Sequence, residues 1–159
     1  MFDLDAIARQ PADAPLITSY YHQNFHPYRR YHSAEGAMHM ALNPGGRFDR
    51  AGYLGQVQRL EALWAGRPPA DVLELAFGKV FNLEYLAPRW PGVRFSGIDL
   101  TPRNVRHAQS RPALAGVALS RADMHALPFE AGSFDCVFCV EGFCHATDVP
   151  RALAEQARV

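Results

Sequence analysis

Two short stretches, DVLELAFGKV at residues 71–80 and FSGIDL at residues 95–100, decide the fold of this 159-residue chain. Each contains an apolar run of strand length with an acidic residue near its end, Glu74 in the first and Asp99 in the second, and helix-patterned sequence lies between them. The order strand, helix, strand predicts a βαβ unit with parallel strands. Both acids then lie at the carboxyl edge of the sheet, where nucleoside-bearing cofactors bind.

The alternation of predicted strands and helices continues to the end of the chain. Apolar runs predict strands at 71–76, 93–99, 117–121 and 134–140, and helical patterns predict helices at 80–88, at 103–110 and from residue 148 onward. A loop rich in turn residues, 123–133, precedes the fourth strand. We therefore expect an α/β fold with a Rossmann-like, doubly wound, mostly parallel sheet of about four strands.

The first part of the chain has a different pattern. Residues 1–68 are helical and irregular, with Thr18 or Ser19 as N-cap of a first helix that Pro27 ends or kinks, and a second helix at 48–64. The turn-forming residues 66–69 give the clearest boundary. We expect an N-terminal helical segment, 1–68, and a Rossmann-like core, 69–159.

The charge balance and the lengths of the apolar stretches indicate which classes of binding partner to expect. The 16 basic and 16 acidic residues balance, which gives no electrostatic reason to expect nucleic acid. No apolar stretch is long enough to span a bilayer, and the first residues lack the pattern of a signal peptide, so we expect a cytoplasmic protein.

The histidine and cysteine patterns do not predict a metal. His22 and His26 lie four residues apart, but no third ligand follows at a recognisable spacing and Pro27 disturbs the local helix. Cys136 and Cys139 lie inside a predicted strand, where an odd separation points their side chains to opposite faces. We interpret both cysteines as small buried residues and expect no metal.

Four segments in sequence order carry a family resemblance. VLELAFG at 72–78 resembles the first motif of the class I S-adenosylmethionine-dependent methyltransferases, GIDLT at 97–101 the second, ADMHALPF at 122–129 the third, and residues 134–148 the fourth strand and its outlet loop. Residues 20–21 and 36–39 resemble the cofactor-covering helix and the segment after it. The likeness extends to the small-molecule group that includes sterol and other C-methyltransferases, so it implies a small-molecule methyl acceptor.

The resemblance implies a role for each matched residue, with S-adenosyl-L-methionine as cofactor. Asp99 would accept hydrogen bonds from the ribose hydroxyls, Asp123 and Met124 would lie at the adenine, and Glu74 would orient the turn or the cofactor ammonium through water. The remaining residues that the resemblance assigns to the cofactor site are Tyr20, Tyr21, Ala76, Gly78 and Leu100.

Each of these residues has a plainer explanation. An acid at a strand end, such as Asp99, can simply cap the next helix, Asp123 can simply open a loop, and Tyr20 and Tyr21 can be core or surface aromatics. Ala76 and Val80 stand where the family usually has glycine. Val80 either projects into the cofactor site or turns its side chain harmlessly into the sheet.

Two residues after the fourth strand are candidates for catalysis. His145 lies at the carboxyl edge, and the near-neutral pKa of a histidine suits a general base, although a loop histidine can also simply bond to backbone. Glu141, at the end of the strand, would face the substrate or stabilise a developing cation. Asp135 lies near the start of its strand and is interpreted as structural.

The chain stops in the helix after the fourth strand, whereas the family's sheet has three more strands. We therefore expect a truncated domain whose fourth strand forms an exposed edge open to self-association.

Two functions fit the sequence. One is S-adenosylmethionine-dependent methyl transfer to a small, apolar metabolite. The other is a degenerate, non-catalytic domain or inactive fragment. An NAD-dependent oxidoreductase fits less well, because residues 76–80 do not form its glycine-rich turn.

Overall fold

A parallel sheet of four strands forms the centre of the molecule in a computed structural model that describes residues 13–159. Its order is β3-β2-β1-β4, and every pairing is parallel. The predicted Rossmann-like α/β fold is confirmed. The chain passes from β1 through β2 to β3 on one side of the sheet and then returns to place β4 on the other side of β1. The switch point therefore lies between β1 and β4, and ligands of such sheets bind beside this point. The strands are β1 (Asp71–Leu75), β2 (Arg94–Asp99), β3 (Ala118–Arg121) and β4 (Cys136–Cys139).

Helices and loops cover both faces of the sheet. Alternate residues of β1 point to opposite faces, so Val72 packs in one apolar cluster and Leu73 and Leu75 pack in the other. The burial of both faces of β1 explains why its sequence is a nearly continuous apolar run. The helices are α1 (Ala14–Gln23), α2 (Phe25–Pro27), α3 (Gly55–Leu63), α4 (Phe81–Leu86), α5 (Pro102–Gln109) and α6 (Val149–Arg158), with shorter helical turns at Tyr28–His32, Arg50–Leu54, Pro112–Leu114 and Phe143–His145.

The N-terminal helix differs from its prediction. Its N-cap is Asp13, whose side chain accepts a hydrogen bond from Leu16 N at 2.9 Å, and not Thr18 or Ser19. The helix ends at Gln23, and Pro27 lies within the helical turns that follow. The sequence contains a pattern typical of this helix start, an Asp followed by a proline in the first turn. Proline is tolerated there because backbone N–H groups of the first turn have no partner within the helix.

Two features at the borders of the sheet complete the fold. Among the described residues β4 pairs with β1 only, so its outer side is an edge of the sheet. At the amino end of β4, Asp135 accepts hydrogen bonds from the backbone of Ala70 and Asp71 at 2.8 and 3.1 Å, far from the carboxyl edge.

Within residues 13–159, no helix has the length and apolar character that crossing a bilayer requires.

Candidate functional site

One cavity lies over the carboxyl ends of β1, β2 and β4, and its space measured out to solvent is about 1000 Å³. Helix α1 and residues 36–39 cover it from the N-terminal side. The structure brings together all the predicted site residues except Tyr20, which is exposed and whose hydroxyl lies 3.4 Å from that of Tyr28. The predicted residues in the lining are Tyr21, Glu74, Ala76, Gly78, Asp99, Leu100, Asp123, Met124, Glu141 and His145.

Three alternate residues in the turn after β1 have a left-handed backbone conformation. Ala76, Gly78 and Val80 have φ angles of 54°, 57° and 60°. This left-handed region is strained for residues with a Cβ, and most strained for a β-branched one. The turn therefore keeps a glycine-type backbone even where two of the three residues are not glycine. At Gly78 the space is also limiting, because a Cβ would lie 2.7 Å from the sulfur of Met38.

Val80 turns its side chain away from the cavity. It is completely buried and belongs to the apolar cluster with Leu83 and Phe138. Its N–H donates to the carbonyl of Phe77 at 2.9 Å, which closes the turn. Of the two orientations open from the sequence, the structure has the one that leaves the cavity free.

Asp99 joins the turn to the next helix. Its Oδ2 accepts from Gly78 N at 2.8 Å, and its Oδ1 accepts from Thr101 N at 2.8 Å and from Asn104 Nδ2 at 3.1 Å. Burial raises the pKa of Asp99 above its ordinary value, although these donors oppose the shift. The carboxylate thus holds the cavity floor together and also forms part of the cavity wall, so the capping and cofactor-binding interpretations are compatible.

Glu74 is a buried carboxyl with too few partners. It is 1% exposed, and its Oε1 accepts from Asn82 Nδ2 at 2.8 Å. Burial raises its pKa to about 8; the Asn82 hydrogen bond opposes this shift and the nearby Asp99 adds to it. Glu74 therefore carries a proton near neutral pH unless a cation binds beside it.

The far side of the cavity is built by the loop after β3. Asp123 Oδ1 accepts from His125 N at 2.9 Å and from His125 Nδ1 at 2.6 Å, while His125 Nε2 accepts from Asp148 N. Burial raises the pKa of Asp123, but the hydrogen bonds from His125 outweigh it and the net pKa is lowered. Asp123 is therefore ionised and fixed in place, next to Met124 in the cavity wall.

His145 forms a pair with Tyr21. The Tyr21 hydroxyl lies 2.6 Å from His145 Nε2, and the two rings meet edge to face. Burial lowers the pKa of His145, so its imidazole is neutral at neutral pH, as a general base must be. Burial, with help from Cys144, Tyr20 and Asp99, raises the pKa of Tyr21 to about 12.

Glu141 anchors the N-terminal segment. Its carboxylate oxygens lie 3.2 and 3.1 Å from Met40 N, and its Oε1 accepts from Gln56 Nε2 at 2.5 Å. Glu141 has a φ of 54°, and the next residue, Gly142, has no room for a Cβ, which would lie 2.7 Å from both Ala76 Cβ and Cys139 Sγ. The end of β4 is therefore tightly packed against the turn after β1.

A cluster that the sequence analysis did not identify holds α2 against the core. The ring of Phe25 contacts the cations of Lys79 and Arg103, each 4.5 Å from the ring centroid. Lys79 Nζ also donates to the carbonyl of Phe25, and Arg103 donates to the carbonyl of His22 at 2.9 Å. Burial, with the charges of Arg29 and Arg103, lowers the pKa of Lys79 to about 8.

Four buried polar atoms of the cavity lining have no hydrogen-bond partner among the described residues. They are His39 Nε2, Glu74 Oε2, Asn82 Oδ1 and Asn104 Oδ1. Such atoms destabilise the fold by about 1–3 kcal/mol each unless a ligand satisfies them. His39, Asn82 and Asn104 were absent from the predicted site, because no spacing rule relates them to the strand ends.

Metal ligands do not converge in the part of the chain that the structure describes. No group of three His, Cys, Asp or Glu side chains is close enough to hold an ion. Arg103 Nη2 lies 2.7 Å from His26 Nε2, which gives this imidazole nitrogen a partner. Cys136, Cys139 and Cys144 are free thiols.

Residues 73–159 match the model of a family described as a methyltransferase domain. A phthiotriol/phenolphthiotriol dimycocerosates methyltransferase of Mycobacterium leprae is 34% identical over 88 residues, which are 55% of this chain and 33% of the relative. A demethylmenaquinone methyltransferase of Thermus thermophilus is 35% identical over 95 residues, which are 58% of this chain and 43% of the relative.

A solved structure of the cyclase SpnF superposes with a TM-score of 0.78 at 17% identity, covering 90% of this chain and 55% of that one. This similarity shows a common fold. The matched region spans between a third and about two-fifths of the length of the two curated relatives.

Proposed function

This chain belongs to the methyltransferase domain family, and on that premise we propose that it transfers a methyl group from S-adenosyl-L-methionine to a small, apolar metabolite. The family identifies S-adenosyl-L-methionine as the cofactor. The names of the two relatives, which refer to a dimycocerosate and to a demethylmenaquinone, support an apolar acceptor. When bound, the cofactor supplies an electrophilic methyl group on a sulfonium.

The cavity lining fits this cofactor. Asp99 and Asp123 supply carboxylates on one side of the cavity, for the ribose hydroxyls and the adenine edge, with Leu100 and Met124 as apolar neighbours. Glu74 supplies a carboxylate oxygen without a partner, which suits a ligand with two cationic groups. The observation that carries the proposal is that the carboxyl ends of β1, β2 and β4, with their acids, line one cavity under α1.

The residues of the chain contribute mainly by positioning and by proton transfer. A neutral His145, held by Tyr21, is the proposed general base for an acceptor that loses a proton. Glu141 is proposed to hold Met40 and Gln56 beside the acceptor and to stabilise positive charge there. Residues 13–68 are proposed to act as the cover of the cofactor site.

The degenerate-domain alternative had two grounds, the truncation and an obstruction of the cofactor site by Val80, and the structure does not have the obstruction. Val80 is outside the cavity lining, and Ala76 adopts the left-handed backbone that the family's glycine provides. The cavity therefore gives no reason to prefer a domain that cannot bind the cofactor.

Cofactor binding is tested by calorimetric titration with S-adenosylmethionine, S-adenosylhomocysteine and NAD. We expect binding of the first two and none of NAD. Asp99→Ala is expected to weaken binding by about 1.5–3 kcal/mol through lost charge-assisted hydrogen bonds. Asp135→Ala is the matched control, because that carboxylate also holds backbone N–H groups but lies at the opposite edge of the sheet. Equal loss of affinity in both variants would contradict the site assignment.

A further inference from the structure

His39 is a buried histidine on the wall of the cavity. Its side chain is 5% exposed, and its ring lies edge to face against Phe81 and Tyr53, with centroids 5.6 and 6.4 Å apart. Its backbone carbonyl accepts from His32 Nε2 at 3.0 Å. The position of the ring is therefore determined by packing on two sides.

The hydrogen bonds of His39 fix which ring nitrogen carries the proton. Nδ1 lies 3.2 Å from the carbonyl oxygen of Met40, and a carbonyl can only accept. Nδ1 is therefore a donor, and an imidazole with a single ring proton carries it on Nδ1 and leaves Nε2 as an acceptor. This Nε2 is buried and has no partner among the described residues, which is an unfavourable arrangement for a purely structural side chain.

The place of His39 in the cavity indicates which part of a ligand it meets. Of the acids assigned to the ribose and adenine, Asp99 is the last residue of β2 and Asp123 follows β3. His39 instead packs against Phe81, the first residue of the helix after β1, and the next residue, Met40, is tied to Glu141 after β4. It therefore lies with the β1 and β4 side of the cavity, away from the adenosine side.

We propose that His39 binds the amino-acid end of the cofactor, with Nε2 accepting a hydrogen bond from the α-ammonium group. The inference rests on the proposed function, because it needs S-adenosylmethionine in this cavity. The ammonium is the hydrogen-bond donor at that end of the molecule, whereas the carboxylate can only accept and cannot pair with an acceptor nitrogen. Glu74 supplies the charge for the same group, and His39 supplies a second acceptor.

The test compares two ligands that differ in the amino-acid end. S-adenosylhomocysteine contains it, and 5′-methylthioadenosine lacks it. Both are titrated by calorimetry into the wild type, His39→Leu and His39→Gln. Leucine keeps an apolar side chain of similar bulk without an acceptor, and the glutamine carbonyl oxygen reaches the region of Nε2.

We expect His39→Leu to bind S-adenosylhomocysteine about 10-fold more weakly, or about 1.4 kcal/mol, and to bind 5′-methylthioadenosine as the wild type does. His39→Gln should recover most of the lost affinity. Unchanged binding of both ligands to His39→Leu overturns the proposal, and so does an equal loss for both, since a structural wall residue would affect them alike.

Stability provides a second readout that separates binding from packing. Because His39→Leu removes an unpaired buried nitrogen, its melting temperature should equal or exceed that of the wild type. A variant that melts lower and binds both ligands less well would show a structural role and overturn the proposal. If the wild type itself does not bind S-adenosylhomocysteine, the proposed function is refuted. If the wild type binds it and His39→Leu binds it equally well, only the role of His39 is refuted.

Discussion

The hydroxyl of Tyr21 in α1 and Nε2 of His145 after β4 lie 2.6 Å apart, and this contact joins the N-terminal cover to the proposed catalytic wall. Both side chains line the cavity, and neither is charged at neutral pH, because burial raises the pKa of one and lowers that of the other. The position of the proposed base therefore depends on whether α1 is docked.

Tyr21→Phe removes only the hydroxyl of this pair. We expect the free energy of unfolding to fall by about 1 kcal/mol, the usual net value of a neutral hydrogen bond, as measured by urea denaturation. Tyr20→Phe is the control, because the Tyr20 hydroxyl is exposed and lies 3.4 Å from Tyr28, and it should change stability much less. Equal effects would show that the Tyr21–His145 contact contributes nothing particular.

The two substitutions Val80→Ala and Val80→Gly separate packing from backbone strain. Both lose the two buried γ-methyl groups, whose burial stabilises by about 2 kcal/mol. Only glycine relieves the left-handed conformation, which costs a residue with a Cβ about 1–2 kcal/mol. We therefore expect the glycine variant to be at least as stable as the alanine variant by denaturant unfolding.

The control for Val80 is Ala152→Gly in helix α6, where glycine should destabilise by about 0.5–1 kcal/mol relative to alanine. Because Val80 lies outside the cavity lining, neither of its variants should change the affinity for S-adenosylhomocysteine. Tighter binding by Val80→Gly would show that the side chain reaches the cofactor.

Glu74 should make the stability of the ligand-free protein fall with pH. Its folded pKa of about 8 lies above the unfolded value of about 4.5, so the folded state binds the extra proton between these values. The contribution of Glu74 to stability is complete below about pH 4.5 and is lost as the pH rises to about 8. Glu74→Gln should remove this slope in unfolding curves measured across the window.

Asp135→Asn is the control for the pH profile. The pKa of Asp135 is lowered by its hydrogen bonds to the backbone of Asp71 and Ala70, so it titrates below the window and its loss should shift the stability curve without changing the slope. A wild-type slope that Glu74→Gln retains would mean that another group holds the proton.

Phe25→Ala should loosen the N-terminal cover. The substitution removes the ring between Lys79 and Arg103, and each such cation–π contact contributes about 0.5–2 kcal/mol. We expect faster proteolytic cleavage in residues 13–32 and faster dissociation of S-adenosylhomocysteine in stopped-flow experiments. Tyr31→Ala is the control, since Tyr31 is 79% exposed and should leave both rates unchanged.

The sequence predicted the central strands well because β1 is buried on both faces and because Glu74 and Asp99 lie near the ends of β1 and β2. Asp99 and Glu74 reach one cavity as expected, since parallel strands end at one edge. The sequence could not determine the orientation of the Val80 side chain. It shows only that valine stands where the family usually has glycine, whereas the orientation depends on how the side chain packs into the core.

The sequence was less informative for the N-terminal segment. Tyr20 and Tyr21 are adjacent on a helix, and only the docking of α1 determines that Tyr21 lines the cavity while Tyr20 is exposed. His39 was within a segment that resembled the family, but its importance depends on an unpaired nitrogen, which only three-dimensional packing reveals.

The place of each strand in the sheet sets how long its backbone amides resist exchange with deuterated water. β1 is hydrogen-bonded on both sides, by β2 and β4, and should exchange only through global opening. β4 is bonded on one side among the described residues, so its amides should exchange through smaller, more frequent openings. We therefore expect the cavity floor on β1 to be better protected from exchange than β4, which leads into the cavity wall that carries Glu141 and His145.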